Sequence, residues 1–222
     1  MIEIKSITKV FNQGLPNEMT ALSGVSFMVN RGELIILKGP SGSGKSTLLS
    51  IIVALQKPTF GEVIVLKNRV SKLPDDFASL FRRENIGFIF QKFNLIPTLS
   101  VYENIITPLI PEGLSDKELE SKANRVMEEF SISHKKDELV KNLSGGEQQR
   151  TAIARALVND PDIILADEPT ANLDEKLSIQ FLEYLKKMKK KGKTIIIATH
   201  DPLFFNLPIT DKEITIHNGK VV

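Results

Sequence analysis

One stretch of the sequence has the residue types and spacing of a loop that holds phosphate groups. Residues 39–46 read Gly-Pro-Ser-Gly-Ser-Gly-Lys-Ser, which matches the pattern G-x-x-x-x-G-K-[ST]. Gly42 and Gly44 allow backbone N–H groups to turn toward phosphate oxygens. Lys45 adds a mobile cation, and the Ser46 hydroxyl is a ligand for Mg²⁺. The residues expected to bind phosphate are Gly39, Pro40, Ser41, Gly42, Ser43, Gly44, Lys45, Ser46 and Thr47.

Several classes of nucleotide-binding protein carry this loop, among them GTPases, small-molecule kinases, helicases and transport ATPases. A GTPase would be expected to carry Asn-Lys-x-Asp, which recognises guanine. The nearest candidate, residues 134–137 with the sequence His-Lys-Lys-Asp, lacks the Asn and follows no predicted strand. The GTPase interpretation is therefore disfavoured, and residues elsewhere in the chain must separate the other classes.

Two adjacent carboxylates follow a short apolar run, where they suit chemistry on a bound nucleotide. Asp167 ends the run Ile163–Ala166 and can hold Mg²⁺ through its water shell. Glu168 can then orient and polarise the attacking water as a general base. Because adjacent side chains of an extended segment point to opposite sides, we expect the two carboxylates to have different tasks.

His200 and Gln91 also follow predicted strands. His200 comes after Thr194–Ala198, from which its ring can reach a γ-phosphate. Gln91 comes after Ile86–Phe90, and its amide can contact Mg²⁺ or the attacking water. The predicted catalytic residues are Glu168, His200, Gln91 and Lys45, and the predicted metal ligands are Ser46, Gln91 and Asp167.

A second segment has the features of an anion site at the start of a helix. Ser144 as N-cap and Glu147 three residues later form a capping box ahead of a helix predicted over Gln148–Val158. The glycines between them weaken a helix start, but they allow a phosphate to approach the backbone closely. We therefore expect a second phosphate to bind at Ser144, Gly145, Gly146 and Glu147.

The elements that position these residues follow from hydrophobic patterning. Short alternating segments within residues 1–35 and 61–70 predict a β-rich lobe near the N-terminus. Residues 92–160 contain no apolar strand run, and a capping box at Ser115–Glu118 followed by an apolar stripe indicates a mainly helical lobe. Four β-branched runs predict buried parallel strands: Leu34–Lys38, Ile86–Phe90, Asp162–Ala166 and Thr194–Ala198.

Composition excludes several other functions. The 222 residues include 29 Lys and Arg against 27 Asp and Glu, and this balance gives no support for a nucleic-acid partner. The chain has no Cys, which excludes disulfides, thiolate metal sites and a Cys nucleophile. No apolar run approaches the ~18 residues that are needed to cross a bilayer, so the chain is not expected to span a membrane by itself.

These motifs resemble those of the nucleotide-binding subunits of ABC transporters, and the resemblance covers essentially the whole chain. It implies an α/β fold in which a P-loop NTPase core with a mainly parallel sheet carries an N-terminal antiparallel β subdomain and an inserted α-helical subdomain. Residues 1–222 would form a single domain, with 1–91 and 161–222 as the core and β subdomain and about 92–160 as the helical subdomain. The motifs, in the family's order, are residues 39–46, Gln91, the signature Leu143–Arg150, Ile163–Glu168, Ala171–Asp174 and His200.

The resemblance also implies ATP and Mg²⁺ as cofactors and ATP hydrolysis as the reaction. In this family two subunits meet head to tail, and each nucleotide lies between one phosphate-binding loop and the signature of the other subunit. A second copy of the chain is therefore an expected partner. Phe11 stands where the family often has a Tyr that stacks on adenine, and a Phe ring can stack in the same way.

A finer resemblance, to the lipoprotein-releasing, macrolide-exporter and cell-division ATPases, rests on residues 86–97 and 102–105. It implies integral membrane permease subunits as partners, a peripheral location on the cytoplasmic face of the inner membrane, and lipoprotein release or macrolide or peptide export as the task. Phe93, Leu95 and Ile96 are candidates for a groove that receives a helix of the membrane partner, with ordinary core packing as the alternative. A cell-division ATPase without transported cargo and a soluble ABC ATPase outside transport stay open.

Overall fold

The structure is a computed structural model that describes residues 1–222, and its nine strands form two sheets. In chain order the strands are β1 (Ile2–Phe11), β2 (Met19–Val29), β3 (Leu34–Lys38), β4 (Phe60–Val65), β5 (Ile86–Ile89), β6 (Ile163–Asp167), β7 (Thr194–Ala198), β8 (Lys212–His217) and β9 (Lys220–Val221). One sheet is antiparallel with the order β2-β1-β4. The other has the order β5-β6-β7-β3-β8-β9, and all its strands except β9 are parallel.

Six α-helices lie between these strands in the sequence. They are α1 (Lys45–Ile52), α2 (Asp75–Asn85), α3 (Val101–Ile106), α4 (Asp116–Glu129), α5 (Gly145–Leu157) and α6 (Glu175–Lys190). Helix α4 begins at the predicted capping box, where the Glu118 carboxylate accepts a hydrogen bond of 2.9 Å from the Ser115 N–H. Helix α6 is followed by Gly192 in a left-handed conformation, which ends the basic last turn.

The six-stranded sheet is buried on both faces, and this burial explains its apolar strands. In β3, Leu34 and Ile36 pack into one hydrophobic cluster, whereas Ile35 and Leu37 pack into another. The first cluster contains the apolar sides of α3, α4, α5 and α6, and the second contains α1 and the antiparallel sheet. Because apolar neighbours cover both faces, the side chains that can meet a polar ligand are those beyond the carboxyl ends of the strands.

The predicted α/β architecture with a mainly parallel sheet is confirmed. Each of the four predicted parallel strands is present with ends displaced by no more than one residue. The helix predicted from Gln148 begins at Gly145, so both signature glycines are helical. Helix α2 was not predicted. Because helices α3, α4 and α5 share one continuous cluster with the sheet, the division of the chain at residues 92 and 160 stays a prediction.

Candidate active site

The phosphate-binding loop connects β3 to α1, and two of its glycines lie in places that no other residue could occupy without strain. Gly39 has φ +148°, and a Cβ on it would lie 2.1 Å from the carbonyl oxygen of Ile216. Gly44 has φ +106°, and a Cβ there would lie 2.6 Å from the Ala21 oxygen. The loop is therefore folded tightly between β8 and β2, with its remaining open side toward the ligand cavity.

Lys45, the first residue of α1, is buried at 5% exposure. Its Nζ donates hydrogen bonds to the carbonyl oxygens of Gly39 at 2.6 Å and Pro40 at 3.0 Å. The loop thus holds the ammonium group with its own backbone. Phosphate oxygens, as anionic acceptors, form stronger hydrogen bonds with such a group than these carbonyls do, so the residue is suited to the role predicted for it.

Asp167, at the end of β6, is a buried carboxylate that lacks a hydrogen-bond partner on Oδ1. Its burial raises the pKa of the carboxyl, and the neighbouring Glu168 charge acts in the same direction, while Ser46 and Lys45 oppose them. A carboxylate oxygen left unpaired beside a hydroxyl matches the oxygen donors that Mg²⁺ prefers. The residues present therefore fit a divalent cation held near Ser46 and Asp167.

Glu168 follows β6 in a left-handed conformation, with φ +47°. The expected extended backbone is therefore wrong at this residue. Its carboxylate accepts a hydrogen bond from the Thr199 hydroxyl at 2.8 Å, and its Oε1 lies 2.8 Å from Nδ1 of His200. A left-handed Glu is strained, and such strain persists only where surrounding contacts hold it. Here the end of β7 supplies those contacts.

A cavity of about 400 Å³ lies elsewhere, but the one of about 280 Å³ beside the loop collects the predicted catalytic side chains. Residues 41–47, Gln91, Glu168 and His200 line it together. The His200 ring is 68% exposed and Gln91 is also exposed, so both can meet a ligand. The structure thus brings the loop, a carboxylate, an imidazole and an amide to one site.

The β2 wall of this cavity was missed in the sequence. Met19, Thr20 and Ala21 of β2 line the cavity together with the loop. Phe11, predicted to stack on the base, is paired with Met19 across the antiparallel sheet, but it is not among the lining residues. The Lys9 ammonium lies 5.0 Å from the centre of its ring. The stacking role of Phe11 stays a prediction, and an alternating strand alone gave no signal for Met19.

The capping box predicted at Ser144 and Glu147 is confirmed, while the phosphate site there stays a prediction. Ser144 caps α5, and its N–H and hydroxyl both donate to the Glu147 carboxylate at 2.8 Å. The hydrogen bond from the Ser144 N–H is the largest cause that holds the pKa of Glu147 below its ordinary value. Neither residue lines the cavity beside the phosphate-binding loop. The two predicted phosphate sites of one chain are therefore separate.

The residues after Gln91 that were predicted to form a groove for a partner helix partly line one cavity, and the groove stays a prediction. Phe93 and Leu95 line a cavity of about 750 Å³, Leu95 also packs on the core, and Ile96 is 42% exposed. The 400 Å³ cavity lies nearby, between α2, β5 and α5. Its apolar wall includes Phe88 and Phe90, and its rim carries the guanidinium groups of Arg82, Arg83 and Arg155.

None of these three arginines has a carboxylate within ion-pair distance. Arg82 donates to the Ala54 oxygen, and Arg155 donates to the oxygens of Phe93 and Asn94. The Nε of Arg83 is buried without a partner. The burial of Arg155 lowers its pKa. The cavity therefore combines an apolar wall with guanidinium groups that form no salt bridge, and no sequence motif indicated this.

The loop, the carboxylates and the parallel sheet define an α/β ATPase of the phosphate-binding-loop class. A family model described as "ABC transporter" matches residues 22–171. The chain belongs to the ABC transporter family, in which it is an ATP-binding subunit and an ATPase. None of its six α-helices has the length and hydropathy that crossing a bilayer requires.

Relatives and solved structures agree with this assignment. An uncharacterized ABC transporter ATP-binding protein of Thermotoga maritima is 41% identical over 100% of this chain and 93% of its own length. The macrolide export ATP-binding/permease protein MacB of Hyphomonas neptunium is 39% identical over 100% of this chain, which spans 34% of that protein. A dimeric, post-hydrolysis structure of the ATP-binding cassette MJ0796, bound to ADP and Pi, superimposes with a TM-score of 0.94 at 40% identity and covers 100% of this chain and 96% of that one.

Proposed function

We propose that two copies of this chain enclose two Mg-ATP molecules, hydrolyse them, and pass the resulting movement to separate membrane subunits. The observation that carries the dimer is the separation of the two phosphate sites. The cavity with Glu168 and His200 includes no residue of Ser144–Glu147, so that helix end is available to the nucleotide of a second chain. The MJ0796 cassette, whose structure with ADP and Pi is dimeric, supports the same arrangement.

Within one site, the residues of this chain divide the work. The loop binds the phosphates, and Lys45 places its positive ammonium group beside them. Ser46, Gln91 and Asp167 would hold Mg²⁺, which when bound offsets the negative charge on the phosphates. Glu168 accepts a proton from the attacking water.

The neighbours of Glu168 keep its carboxylate in place for that step. The Thr199 hydroxyl donates to one carboxylate oxygen, and the His200 backbone N–H lies 3.2 Å from the other. The 2.8 Å contact between Nδ1 and Oε1 is a hydrogen bond when the proton of the His200 ring is on Nδ1. These donors fix the direction of the carboxylate whose oxygen is to accept the proton.

Two variants test the ATP-dependent dimer. Glu168→Gln is expected to bind ATP, to stop hydrolysis, and to accumulate as a dimer of twice the 24.8 kDa chain in light scattering with Mg-ATP. Lys45→Ala is expected to lose tight ATP binding and to stay monomeric under the same conditions. Hydrolysis by Glu168→Gln at the rate of the parent chain would show that Glu168 is not the base.

For the membrane partner, we propose the arginine-rimmed cavity as the docking surface. Its apolar wall and the guanidinium groups of Arg82, Arg83 and Arg155, which form no salt bridge, are complementary to an amphipathic helix that carries acidic residues. The cavity wall includes Phe90, which directly precedes Gln91 of the nucleotide cavity. A helix seated there would therefore respond to changes at the nucleotide.

Capture from detergent-solubilised membranes of the source organism tests this surface. The parent chain and Arg31→Glu, a charge reversal at an exposed arginine, are expected to retain the same multi-span membrane protein. Arg83→Glu is expected to lose it while keeping its ATPase activity. Equal capture by both variants, or recovery of ribosomes or DNA complexes without a membrane protein, would contradict the proposal.

The finer function that we propose is lipoprotein release or macrolide or peptide export. The support comes from the MacB relatives, whose names join an ATP-binding part to a macrolide export permease. The identity of the captured membrane protein shows which of these functions the complex performs. A cell-division membrane protein would replace this assignment with that of an ATPase without transported cargo, and the peripheral position on the cytoplasmic face of the membrane would remain.

A further inference from the structure

Helix α5 carries a buried polar side chain that none of the roles assigned so far uses. Gln149 is 0% exposed, in a helix whose other buried side chains include Ala152, Ile153 and Leu157. Burying an amide is costly unless it is hydrogen-bonded. Its Nε2 donates to the carbonyl oxygen of Pro169 at 2.9 Å, while its Oε1 has no partner. The buried amide of Gln149 thus makes a single hydrogen bond, the one to Pro169.

The orientation of this amide follows from its surroundings. If the nitrogen and oxygen of Gln149 were exchanged, two carbonyl oxygens would face each other at 2.9 Å, which is repulsive. No backbone N–H donates to the Pro169 oxygen, so the amide is its hydrogen-bond donor. Pro169 directly follows Glu168 in the sequence. The hydrogen bond from Gln149 therefore holds the backbone carbonyl of the residue that directly follows the proposed base.

Glu168 is consequently held from two sides. On one side, the end of β7 binds its carboxylate through Thr199 and His200. On the other side, Gln149 binds the backbone that follows it. The left-handed φ of Glu168 makes its side-chain direction sensitive to the position of Pro169, because a strained residue keeps its conformation only while its neighbours enforce it.

A second contact joins the same two segments independently. A Cβ on Gly146 would lie 3.4 Å from the oxygen of Asn172, so the start of α5 packs closely on the backbone a few residues beyond Glu168. Gln149 lies about one helical turn further along α5. A shift of α5 would move both contacts together.

We propose that Gln149 is a positioning residue that sets the direction of Glu168 according to the position of the start of α5. This inference rests on the proposed function, in which the start of α5 meets the nucleotide of the partner subunit while Glu168 acts on the nucleotide of its own subunit. Gln149 then links hydrolysis at one nucleotide to occupancy at the other. The link is a single hydrogen bond inside one chain, and it makes hydrolysis cooperative in ATP concentration.

The test is the dependence of steady-state ATP hydrolysis on ATP concentration for the parent chain and Gln149→Met. The Met side chain fills a similar volume but cannot donate to Pro169. The Gln149→Met substitution is expected to lower kcat by roughly 2- to 30-fold and to move the Hill coefficient of ATP hydrolysis from above 1 toward 1. Binding of a fluorescent ATP analogue to the monomer is expected to stay within about twofold of the parent, because the phosphate-binding loop is untouched.

Gln180→Met is the matched control. Gln180 also donates its Nε2 to a backbone oxygen, that of Glu129 at 3.3 Å, but it joins α6 to the end of α4 away from the nucleotide cavity. Both kinetic values are expected to equal those of the parent. Parental kcat and Hill coefficient in Gln149→Met would overturn the proposal.

The remaining outcomes are also decisive. Gln149→Leu carries the same expectation if Gln149→Met does not fold, and failure of both to fold would show that the bond supports the fold instead of positioning the base. A parent chain that neither hydrolyses ATP nor dimerises with it would overturn the proposed function itself. Parental cooperativity in a hydrolysing Gln149→Met would overturn only the role of Gln149.

Discussion

Replacing Thr199 with Val removes one hydroxyl from the atoms that hold Glu168, with little change in side-chain volume. Thr199 is 0% exposed; its hydroxyl donates to the Glu168 carboxylate at 2.8 Å and accepts from the Asp201 N–H at 2.9 Å. A hydrogen bond to a charged group contributes about 1.5–3 kcal/mol. If the base needs this bond in the transition state, its loss corresponds to roughly a 10- to 150-fold lower kcat.

The control for this change lies at the other end of the same strand. Thr194 is also 0% exposed, and its hydroxyl accepts a hydrogen bond of 3.0 Å from the Gly32 N–H. Thr194→Val removes a bond between neutral groups, so a loss of stability of about 1 kcal/mol is expected without a change in kcat. The comparison separates a general weakening of β7 from an effect on the base.

The assay is steady-state ATP hydrolysis at saturating Mg-ATP, with thermal unfolding measured in parallel. We expect a drop in kcat for Thr199→Val that exceeds the drop for Thr194→Val by at least tenfold. A Thr199→Val chain that is folded and hydrolyses ATP within twofold of the parent would refute the reasoning. The Glu168 carboxylate would then either not be the base or not depend on Thr199 for its direction.

Further predictions concern Asp167, the proposed metal ligand, and the loop glycines. Because burial raises the pKa of Asp167, the native state binds the carboxyl proton more tightly than the unfolded state does. The free energy of unfolding without nucleotide is therefore expected to fall as pH rises from the ordinary Asp pKa through the raised native one. Asp167→Asn removes the cost of burying the charged carboxylate, so scanning calorimetry at neutral pH without nucleotide is expected to show a Tm higher by about 1–8 °C. A separate assay is expected to show that this variant loses Mg²⁺-dependent hydrolysis. A lower Tm would contradict the burial argument. Gly39→Ala places a Cβ 2.1 Å from the Ile216 oxygen, and urea unfolding is expected to show a loss of about 2–6 kcal/mol. Gly14→Ala, also at a positive φ but with no neighbour within 4 Å, is expected to lose only about 1–2 kcal/mol, and equal losses would contradict the steric explanation.

Four of the five parallel strands were predictable because their sequences are mostly apolar, whereas β8, with the sequence Lys-Glu-Ile-Thr-Ile-His, was not among the predicted parallel strands. The strands β6 and β7 are buried at every position, which is why five consecutive residues of each show no alternation. Helix α2 was missed although Phe77, Ala78, Leu80 and Phe81 lie on one side of it at helical spacing. Only Ala78 and Phe81 are buried, while Phe77 and Leu80 are exposed, so burial against the core accounts for only part of this apolar side.

The chemistry of the candidate site was more visible in the sequence than its geometry. Motif spacing indicated Lys45 and Glu168, because phosphate binding and water activation need those residue types beyond the ends of strands. The left-handed backbone of Glu168 and the carbonyl contacts of Lys45 depend on neighbours that are distant in the sequence. The same is true of Gln149, whose partner lies 20 residues away and belongs to no helix or strand.

The central claim is that the nucleotide of one chain meets the signature helix of another, and thiol cross-linking tests it most directly. The chain has no Cys, so Ser41→Cys in the phosphate-binding loop and Ser144→Cys at the start of α5 can be placed in separate chains, each also carrying Glu168→Gln. With Mg-ATP and a short bismaleimide, the mixed pair is expected to form a covalent dimer, more abundant than either like pair. Failure of Mg-ATP to increase the mixed pair, while both chains still bind ATP, would contradict the account.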